Sequence, residues 1–64
     1  MTLKERRLAK GLTQEDVERA TGIDQGSISA YEHGKYIPKY FTALRLAKLY
    51  GCTVEEIMEG GDGG

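Results

Sequence analysis

Single glycines that follow helix-like segments constrain the fold of this chain more than any other feature of its sequence. They stand at Gly11, Gly22, Gly34 and Gly51. Glycine adopts the left-handed backbone conformation that ends many helices without the steric penalty that other residues meet. Together with the apolar periodicity, the glycines predict five short helices, at residues 2–10, 13–21, 24–33, 39–50 and 53–59.

Three of these helices begin with the same local pattern, in which a capping residue lies directly after one apolar residue and shortly before another. The capping residues are Thr13, Asp24 and Thr53. Their side-chain oxygens can accept a hydrogen bond from an N–H group of the first turn, and the two apolar residues can pack together as a hydrophobic staple. Since no strand pattern is found, the sequence predicts an all-α domain over residues 1–59. The glycine-rich residues 60–64 are predicted to be a disordered tail.

A small hydrophobic core must stabilise this domain. The chain has one Cys and one His, which excludes an internal disulfide and a zinc site built within one chain. Cys52 is interpreted as a small buried apolar residue. Tyr40 begins an apolar stripe on the fourth helix, and its ring is expected to pack inward. The predicted core consists of Leu3, Leu8, Leu12, Val17, Ala20, Ile23, Ile28, Tyr31, Leu46, Ala47, Tyr50 and Ile57.

Charge is distributed unevenly along the chain. The net charge is −1, yet residues 1–50 contain all nine Lys and Arg and only six of the ten acidic residues. A domain of this kind can present a basic surface although the whole chain is slightly acidic. No apolar run approaches the ~18 residues of a membrane span, and the charged N-terminus does not resemble a signal peptide. We therefore expect a cytoplasmic protein without a membrane partner.

The second and third predicted helices are joined by a short connection that contains Gly22. Such a connection is typical of a helix-turn-helix motif, although two packed helices of an ordinary bundle would also fit. Ile28 and Tyr31 of the third helix would face inward, whereas the opposite face, which includes Gly26 and Ala30, carries little side-chain bulk. A helix with such a face can bring its backbone close to base edges in the major groove of DNA.

One long stretch of the chain reads LTQEDVERATGIDQGSISAYEHGK and is followed by a proline and by LAKLYGCTVEEI. It has Thr13-Gln14 at a helix start, Gly22 in the turn, and an aromatic residue followed by Glu32. In these features the chain resembles the phage-repressor/Cro type (XRE-like) helix-turn-helix family, over residues 3 to 58. The resemblance implies a compact five-helix, lambda-repressor-like fold that binds operator DNA, usually as a two-fold homodimer on a palindrome.

Base contacts are implied by the resemblance for Gln25, Ser29 and Ala30. A Gln side chain can bond adenine N6 and N7, a Ser hydroxyl can donate or accept, and an Ala methyl group can pack on thymine. Gly26 is added to this set because it lets the helix backbone approach the bases. Asp24 is interpreted mainly as a cap, since a carboxylate near phosphates is repelled.

Phosphate contacts are implied by the resemblance for Gln14 and Lys35. Gln14 stands at a helix N-terminus, where exposed N–H groups and the helix dipole favour an anion. Ser27 and His33 are further candidates. His33 is alternatively an exposed residue of the last helical turn, where the dipole favours a cation.

The resemblance also implies a structural ion pair between Arg7 and Glu32, which would connect the first helix to the third. Glu18 departs from the family, which usually has Ala at this position between the two helices of the motif. Its aliphatic stem is expected to lie along that contact with the carboxylate in water.

Apolar residues around the start of the fourth helix have two interpretations. They are Tyr36, Ile37, Phe41 and Leu44. They either complete the small core or form an exposed patch for self-association. A homodimer would place two third helices ~34 Å apart, which is one turn of DNA.

The sequence as a whole favours a sequence-specific DNA-binding transcriptional regulator, most simply a repressor of a palindromic operator. The alternative is a protein-interaction module, such as an antitoxin-like or anti-regulator domain, because a fold alone does not fix a function. The sequence contains no paired carboxylates, catalytic triad or metal-binding set. We therefore expect no enzyme activity, cofactor, metal or small-molecule ligand.

Overall fold

The structure, a computed structural model, describes residues 1–60, which form five α-helices. They are α1 (Leu3–Ala9), α2 (Gln14–Thr21), α3 (Gln25–Glu32), α4 (Tyr40–Tyr50) and α5 (Val54–Gly60). The described residues contain no strand, so the all-α prediction is confirmed, and each predicted helix end lies within one residue of the observed end. The predicted tail begins at residue 60, which belongs to α5, and residues 61–64 lie outside the described range.

The predicted helix caps are confirmed. Oγ1 of Thr13 accepts a hydrogen bond from the N–H of Asp16 at 3.1 Å, and the Asp16 carboxylate accepts one from the N–H of Thr13 at 2.9 Å. Thr53 and Glu56 form the same reciprocal capping box at the start of α5. The carboxylate of Asp24 caps the first turn of α3. These bonds satisfy N–H groups that would otherwise have no partner within the helices.

A further capping box, at the start of α1, was not predicted from the sequence. It joins Thr2 and Glu5. In all three boxes the hydrogen bond from the threonine backbone lowers the pKa of the carboxyl group below its ordinary value, at Glu5, Asp16 and Glu56. The ionised carboxylates therefore contribute to helix stability near neutral pH.

The glycines predicted to end helices have the left-handed conformation, with φ between +70° and +76°. The N–H of Gly22 donates to the carbonyl oxygen of Glu18 at 2.7 Å, and the N–H of Gly51 donates to that of Ala47 at 2.8 Å. A residue with a Cβ atom would cost roughly 1–2 kcal/mol in this conformation. The predicted helix ends are therefore confirmed.

The longest helix, α4, supplies the largest part of the core. It packs against α2 and α5, while α3 packs against α1 and α2. Its buried residues are Ala43, Leu46, Ala47 and Tyr50. The other buried apolar residues come from the remaining helices and the turn before α3: Leu3, Val17, Ile23, Ile28 and Ile57. Residues partly buried against this core include Leu12, Tyr31 and Cys52.

Three residues that were predicted to pack in the core are exposed instead. Leu8 is 56% exposed because Arg7, its neighbour, takes the buried side of α1. Ala20 borders an open surface cleft rather than lying beneath another helix. Tyr40, the first residue of α4, is 58% exposed and contacts the ring of Phe41 edge to face, with 5.6 Å between the ring centroids. The sequence prediction was wrong for these three residues.

Protonation of the cap carboxylates is expected to destabilise the fold in acid. The pKa values of these carboxyl groups are lower in the folded chain than in the unfolded chain. Above the unfolded-state pKa the ionised groups therefore stabilise the fold, and this stabilisation is lost as the pH falls through the lowered pKa values. Urea unfolding followed by far-UV circular dichroism at about pH 6 and about pH 3 measures this loss. Glu56→Gln, which cannot ionise, should lose less stability over this interval than the wild-type chain.

The matched control is Glu55→Gln, since Glu55 is the neighbour of Glu56 in α5 and lies outside the capping box. It is expected to follow the wild-type pH dependence. If Glu56→Gln followed it as well, the Thr53 box would contribute nothing to the acid sensitivity of the fold.

Candidate nucleic-acid interface

The turn between α2 and α3 is held by its own hydrogen bonds and by burial. Gly22 has the left-handed conformation, Ile23 is buried, and Asp24 caps α3. The hydroxyl of Thr21 donates to the carbonyl oxygen of Val17 at 2.7 Å and accepts from the N–H of Ile23 at 3.1 Å. Every residue of this connection is therefore held in place, and α2 and α3 form a helix-turn-helix.

One side of α3 packs on the domain, and the other side is accessible. Ile28 is 2% exposed, and Tyr31 is partly buried against the core. The opposite side carries the predicted base contacts, of which Gln25 and Gly26 are exposed and Ser29 and Ala30 are half-buried. The structure thus brings these four residues to one side of a short helix.

Gly26 and Ala30 form a low ridge, the α3 ridge, between two surface clefts. The His33 cleft, of about 190 Å³, is also bordered by Ser29, His33 and Lys35. The Tyr36 cleft, of about 440 Å³, lies between α3 and the loop that leads to α4. Its lining includes Ser27 and Tyr31 of α3, and Tyr36, Ile37 and Lys39 of the loop. A ligand that lies along the α3 ridge would therefore face both clefts.

Two predicted phosphate contacts, His33 and Lys35, lie at the C-terminal end of α3. Nδ1 of His33 is 2.8 Å from the carbonyl oxygen of Ser29, so the hydrogen bond requires the proton on Nδ1. Nε2 can then accept from a second partner when the ring is neutral and donate when the ring is cationic. Lys35 is exposed, and its backbone N–H donates to the carbonyl oxygen of Ala30 at 2.9 Å. Both side chains border the His33 cleft.

Gln14, the third predicted phosphate contact, lies at the first position of α2 and contacts the end of α3. Its Nε2 donates to Oε1 of Glu32 at 3.1 Å. The amide group has two N–H bonds, so one is still available to a phosphate. Sequence reasoning missed this link because the two residues are 18 positions apart and meet only through the crossing of α2 and α3.

The structure brings Arg7 and Glu32 together in a buried bidentate ion pair. Nε of Arg7 donates to Oε2 of Glu32 at 2.7 Å, and Nη2 donates to Oε1 at 3.2 Å. Nη1 donates to the carbonyl oxygen of Leu12 at 3.0 Å. The two side chains are only 10% and 4% exposed. The hydrogen bond to Glu32 raises the pKa of Arg7, and burial together with the Glu32 charge raises the pKa of Tyr50 to about 12.

Asp24 provides a structural reason for the glycine in the first turn of α3. Its carboxylate accepts hydrogen bonds from the N–H groups of Gly26 at 2.9 Å and Ser27 at 3.3 Å. A Cβ atom added at Gly26 would lie only 2.9 Å from Oδ2 of Asp24. Gly26 therefore accommodates the cap as well as lowering the α3 ridge. Ser27, the fourth predicted phosphate contact, is half-buried and lines the Tyr36 cleft.

The residues of the predicted self-association patch lie in the loop before α4 and in α4 itself. Tyr36 and Ile37, each 68% exposed, line the Tyr36 cleft. Phe41 is 75% exposed in the first turn of α4, and Leu44, one turn further on, is half-buried. The interpretation that these residues complete the core is therefore wrong for Tyr36, Ile37 and Phe41.

Other functional groups are sparse in the described part of the chain. Within residues 1–60, no group of three or more His, Cys, Asp and Glu is placed to hold a metal ion. Burial raises the pKa of the Cys52 thiol, which favours its unreactive protonated form. The helices of this range are too short and too polar to cross a lipid bilayer.

Comparison with known proteins gives a consistent set of relatives. A family model described as helix-turn-helix matches residues 3–57. The uncharacterized HTH-type transcriptional regulator MJ0272 of Methanocaldococcus jannaschii is 40% identical over 55 residues, covering 86% of this chain and 83% of that protein. The cryptic phage CTXphi transcriptional repressor RstR of Vibrio cholerae is 34% identical over 56 residues, covering 88% of this chain but only 50% of the repressor. No solved structure gives a significant match.

Removal of Arg7 is expected to destabilise the fold strongly, because it leaves the buried Glu32 carboxylate without its charged partner. Arg7→Met should lower the free energy of unfolding by ~3–5 kcal/mol, whereas the double variant Arg7→Met/Glu32→Leu should recover much of this loss. Lys4→Met, at an exposed position of the same helix, is the control and should change stability by less than ~0.5 kcal/mol. Urea unfolding measures all three, and an Arg7→Met chain as stable as the control would contradict a structural role for the pair.

Proposed function

This chain belongs to the XRE-type helix-turn-helix family of transcriptional regulators, a family without enzymatic activity, and we propose that it is a repressor that inserts α3 into the major groove of an operator. The observation that carries this proposal is the α3 ridge. It is accessible and nearly free of side chains, and it belongs to a helix that the turn and the core hold in place. The major groove is about 12 Å wide and admits a helix whose exposed side is thin.

In this proposal, residues of α3 read the bases. The exposed amide of Gln25 would bond N6 and N7 of an adenine. The hydroxyl of Ser29, one turn further on, would donate to or accept from a base edge, and the methyl group of Ala30 would pack on a thymine. Gly26 has no side chain, which lets the backbone of α3 approach the base edges.

The predicted phosphate contacts would fix the domain on the two strands. Lys35 and Nε2 of His33 would donate from the C-terminal end of α3, the imidazole when it is cationic. The remaining amide N–H of Gln14 would donate from the start of α2, where the helix dipole favours an anion. Ser27 lines the Tyr36 cleft beside the Asp24 carboxylate, which repels a phosphate, so its hydroxyl is not included in this set. Such phosphate contacts supply binding affinity that does not depend on the DNA sequence.

We further propose that the chain binds DNA as a homodimer. Phe41 is 75% exposed, and Leu44 lies one turn further along α4. A two-fold contact between the α4 helices of two chains would cover this apolar surface. The two α3 helices would then lie ~34 Å apart on a palindromic operator. Repression requires only that the bound dimer covers DNA needed by the polymerase, and the relative from Vibrio cholerae is named as a repressor.

Selection of bound duplexes from a random pool tests this function. We expect a palindromic sequence with half-sites one helical turn apart. Lys35 and cationic His33 would neutralise ~2–4 phosphates per dimer, so the affinity should fall ~10- to 150-fold between about 50 and 200 mM salt, measured by fluorescence anisotropy with the selected duplex. If no duplex were bound even at low salt, the alternative of a protein-interaction module would be favoured instead.

The role proposed for Gln25 is tested by substitution. Gln25→Ala should weaken binding to the selected operator by ~1–3 kcal/mol and remove the base preference at one position of each half-site. Glu59→Ala, at an exposed position of α5, is the control and should leave affinity and preference unchanged. A repeat of the selection with the Gln25→Ala chain that returned the wild-type sequence at equal affinity would contradict this role.

A further inference from the structure

Tyr36 and Ile37 are large apolar residues that the proposed function does not use. Each is 68% exposed, yet the loop that carries them is held at both ends. On one side the N–H of Lys35 donates to the carbonyl oxygen of Ala30 at 2.9 Å, and on the other side Pro38 is buried. Proline also restricts the backbone of the residue before it. Large apolar side chains exposed at a fixed position are typical of a binding surface.

The position of this pair relative to α3 indicates what it contacts. Tyr36 and Ile37 line the Tyr36 cleft, whose opposite side is formed by α3 residues including Ala30. Ala30 is also part of the α3 ridge, so the cleft is continuous with the surface that we propose to enter the major groove. A duplex that lies along the ridge would place the edge of a base pair next to this cleft.

The lining of the Tyr36 cleft suits an apolar group better than a phosphate. Lys39 is the single cationic residue among the described residues that line it, and the carboxylate of Asp24 belongs to the same lining. The remaining surface is largely apolar, since the rings of Tyr31 and Tyr36 and the side chain of Ile37 contribute to it. Base edges in the major groove present one apolar substituent, the C5-methyl group of thymine.

We propose, on the basis of the DNA-binding function proposed above, that Tyr36 and Ile37 form an apolar wall that packs on thymine methyl groups beside α3. The loop between α3 and α4 is then a specificity-determining element. It reads thymine at positions adjacent to those that Gln25, Ser29 and Ala30 read. Tyr36 and Ile37 are accordingly not part of the contact between two chains, which is left to α4.

The experiment uses the whole chain and the operator selected from the random pool, with each thymine replaced in turn by deoxyuridine. Deoxyuridine lacks the methyl group but keeps the O4 acceptor. At one or two positions the replacement should weaken wild-type binding by ~3- to 10-fold, as expected for one buried methyl group. Ile37→Ala should weaken binding to the unmodified operator by a similar factor and should be insensitive to deoxyuridine at the same position. The salt dependence of its binding should equal that of the wild-type chain, because an apolar contact releases no counterions.

Four further variants serve as comparisons. Tyr36→Phe keeps the ring and should bind as the wild-type chain, whereas Tyr36→Ala should bind more weakly. Leu8→Ala, which removes an exposed apolar side chain from α1, should keep the wild-type response to deoxyuridine. Ala30→Gly should abolish the response only at the thymine that α3 reads, which separates the two sets of methyl contacts. Circular dichroism confirms that each variant is folded, and sedimentation equilibrium gives its oligomeric state without DNA.

The outcomes separate this inference from the proposed function. If the wild-type chain selected no duplex, both would fail. If it selected an operator but Ile37→Ala and Tyr36→Ala kept the wild-type affinity and the wild-type response to deoxyuridine, the inference would be overturned and the function would stand. If these variants lost affinity because they no longer formed dimers, the inference would equally be overturned, since the pair would then be a contact between chains.

Discussion

The orientation of α3 depends on the buried ion pair between Arg7 and Glu32. Glu32 is the last residue of α3, and its carboxylate accepts hydrogen bonds from Arg7 of α1 and from Gln14 of α2. Arg7 also donates to the carbonyl oxygen of Leu12, between those two helices. One carboxylate thus joins three helices. Because it is buried, an arrangement of the helices that left it unpaired would be strongly destabilised. The pair therefore connects the end of α3 to α1 and α2 in addition to the contacts that α3 makes with the core.

Short-range interactions hold the opposite end of α3. Gly22 turns the chain, Asp24 caps the first turn, and Ile28 packs in the core. Since α3 is held at both ends and along its inner side, its outer side is not needed for stability. A helix of eight residues can therefore carry Gly26 on its outer side, where a Cβ atom would lie only 2.9 Å from the Asp24 carboxylate. The bare surface is therefore a consequence of support that comes from the rest of the domain.

Features that depend on neighbours within one helical turn could be predicted from the residue pattern, whereas features that depend on helix crossing could not, and the Arg7–Glu32 pair was implied only by the family resemblance. The cap at Thr13 belongs to the first kind. The exposure of Leu8 does not belong to it, because the apolar pattern of α1 alone does not distinguish Leu8 from a core residue. Only the partner of Arg7, which lies on α3, shows which side of α1 is buried. For the candidate interface, helical periodicity identified the outer side of α3. The Tyr36 cleft escaped prediction because one of its walls is a loop, in which no periodicity distinguishes an exposed apolar residue from a buried one.

The two clefts beside the α3 ridge differ in chemistry, and in the proposed complex this difference separates affinity from specificity. His33 and Lys35 border one cleft and present donors to phosphates, which are the same in every sequence. Tyr36 and Ile37 border the other and present apolar surface, which distinguishes thymine from the other bases. The Asp24 carboxylate lies on this second side and disfavours a phosphate there. In this complex a half-site is therefore held by charge at the C-terminal end of α3. The loop adds an apolar contact with thymine to the bases that Gln25, Ser29 and Ala30 read. On a palindrome, the two-fold axis relates the two half-sites, so the second chain makes the charged and the apolar contacts in the reverse order along the DNA. The direction of α3 therefore determines how far each thymine contact lies from the centre of the operator.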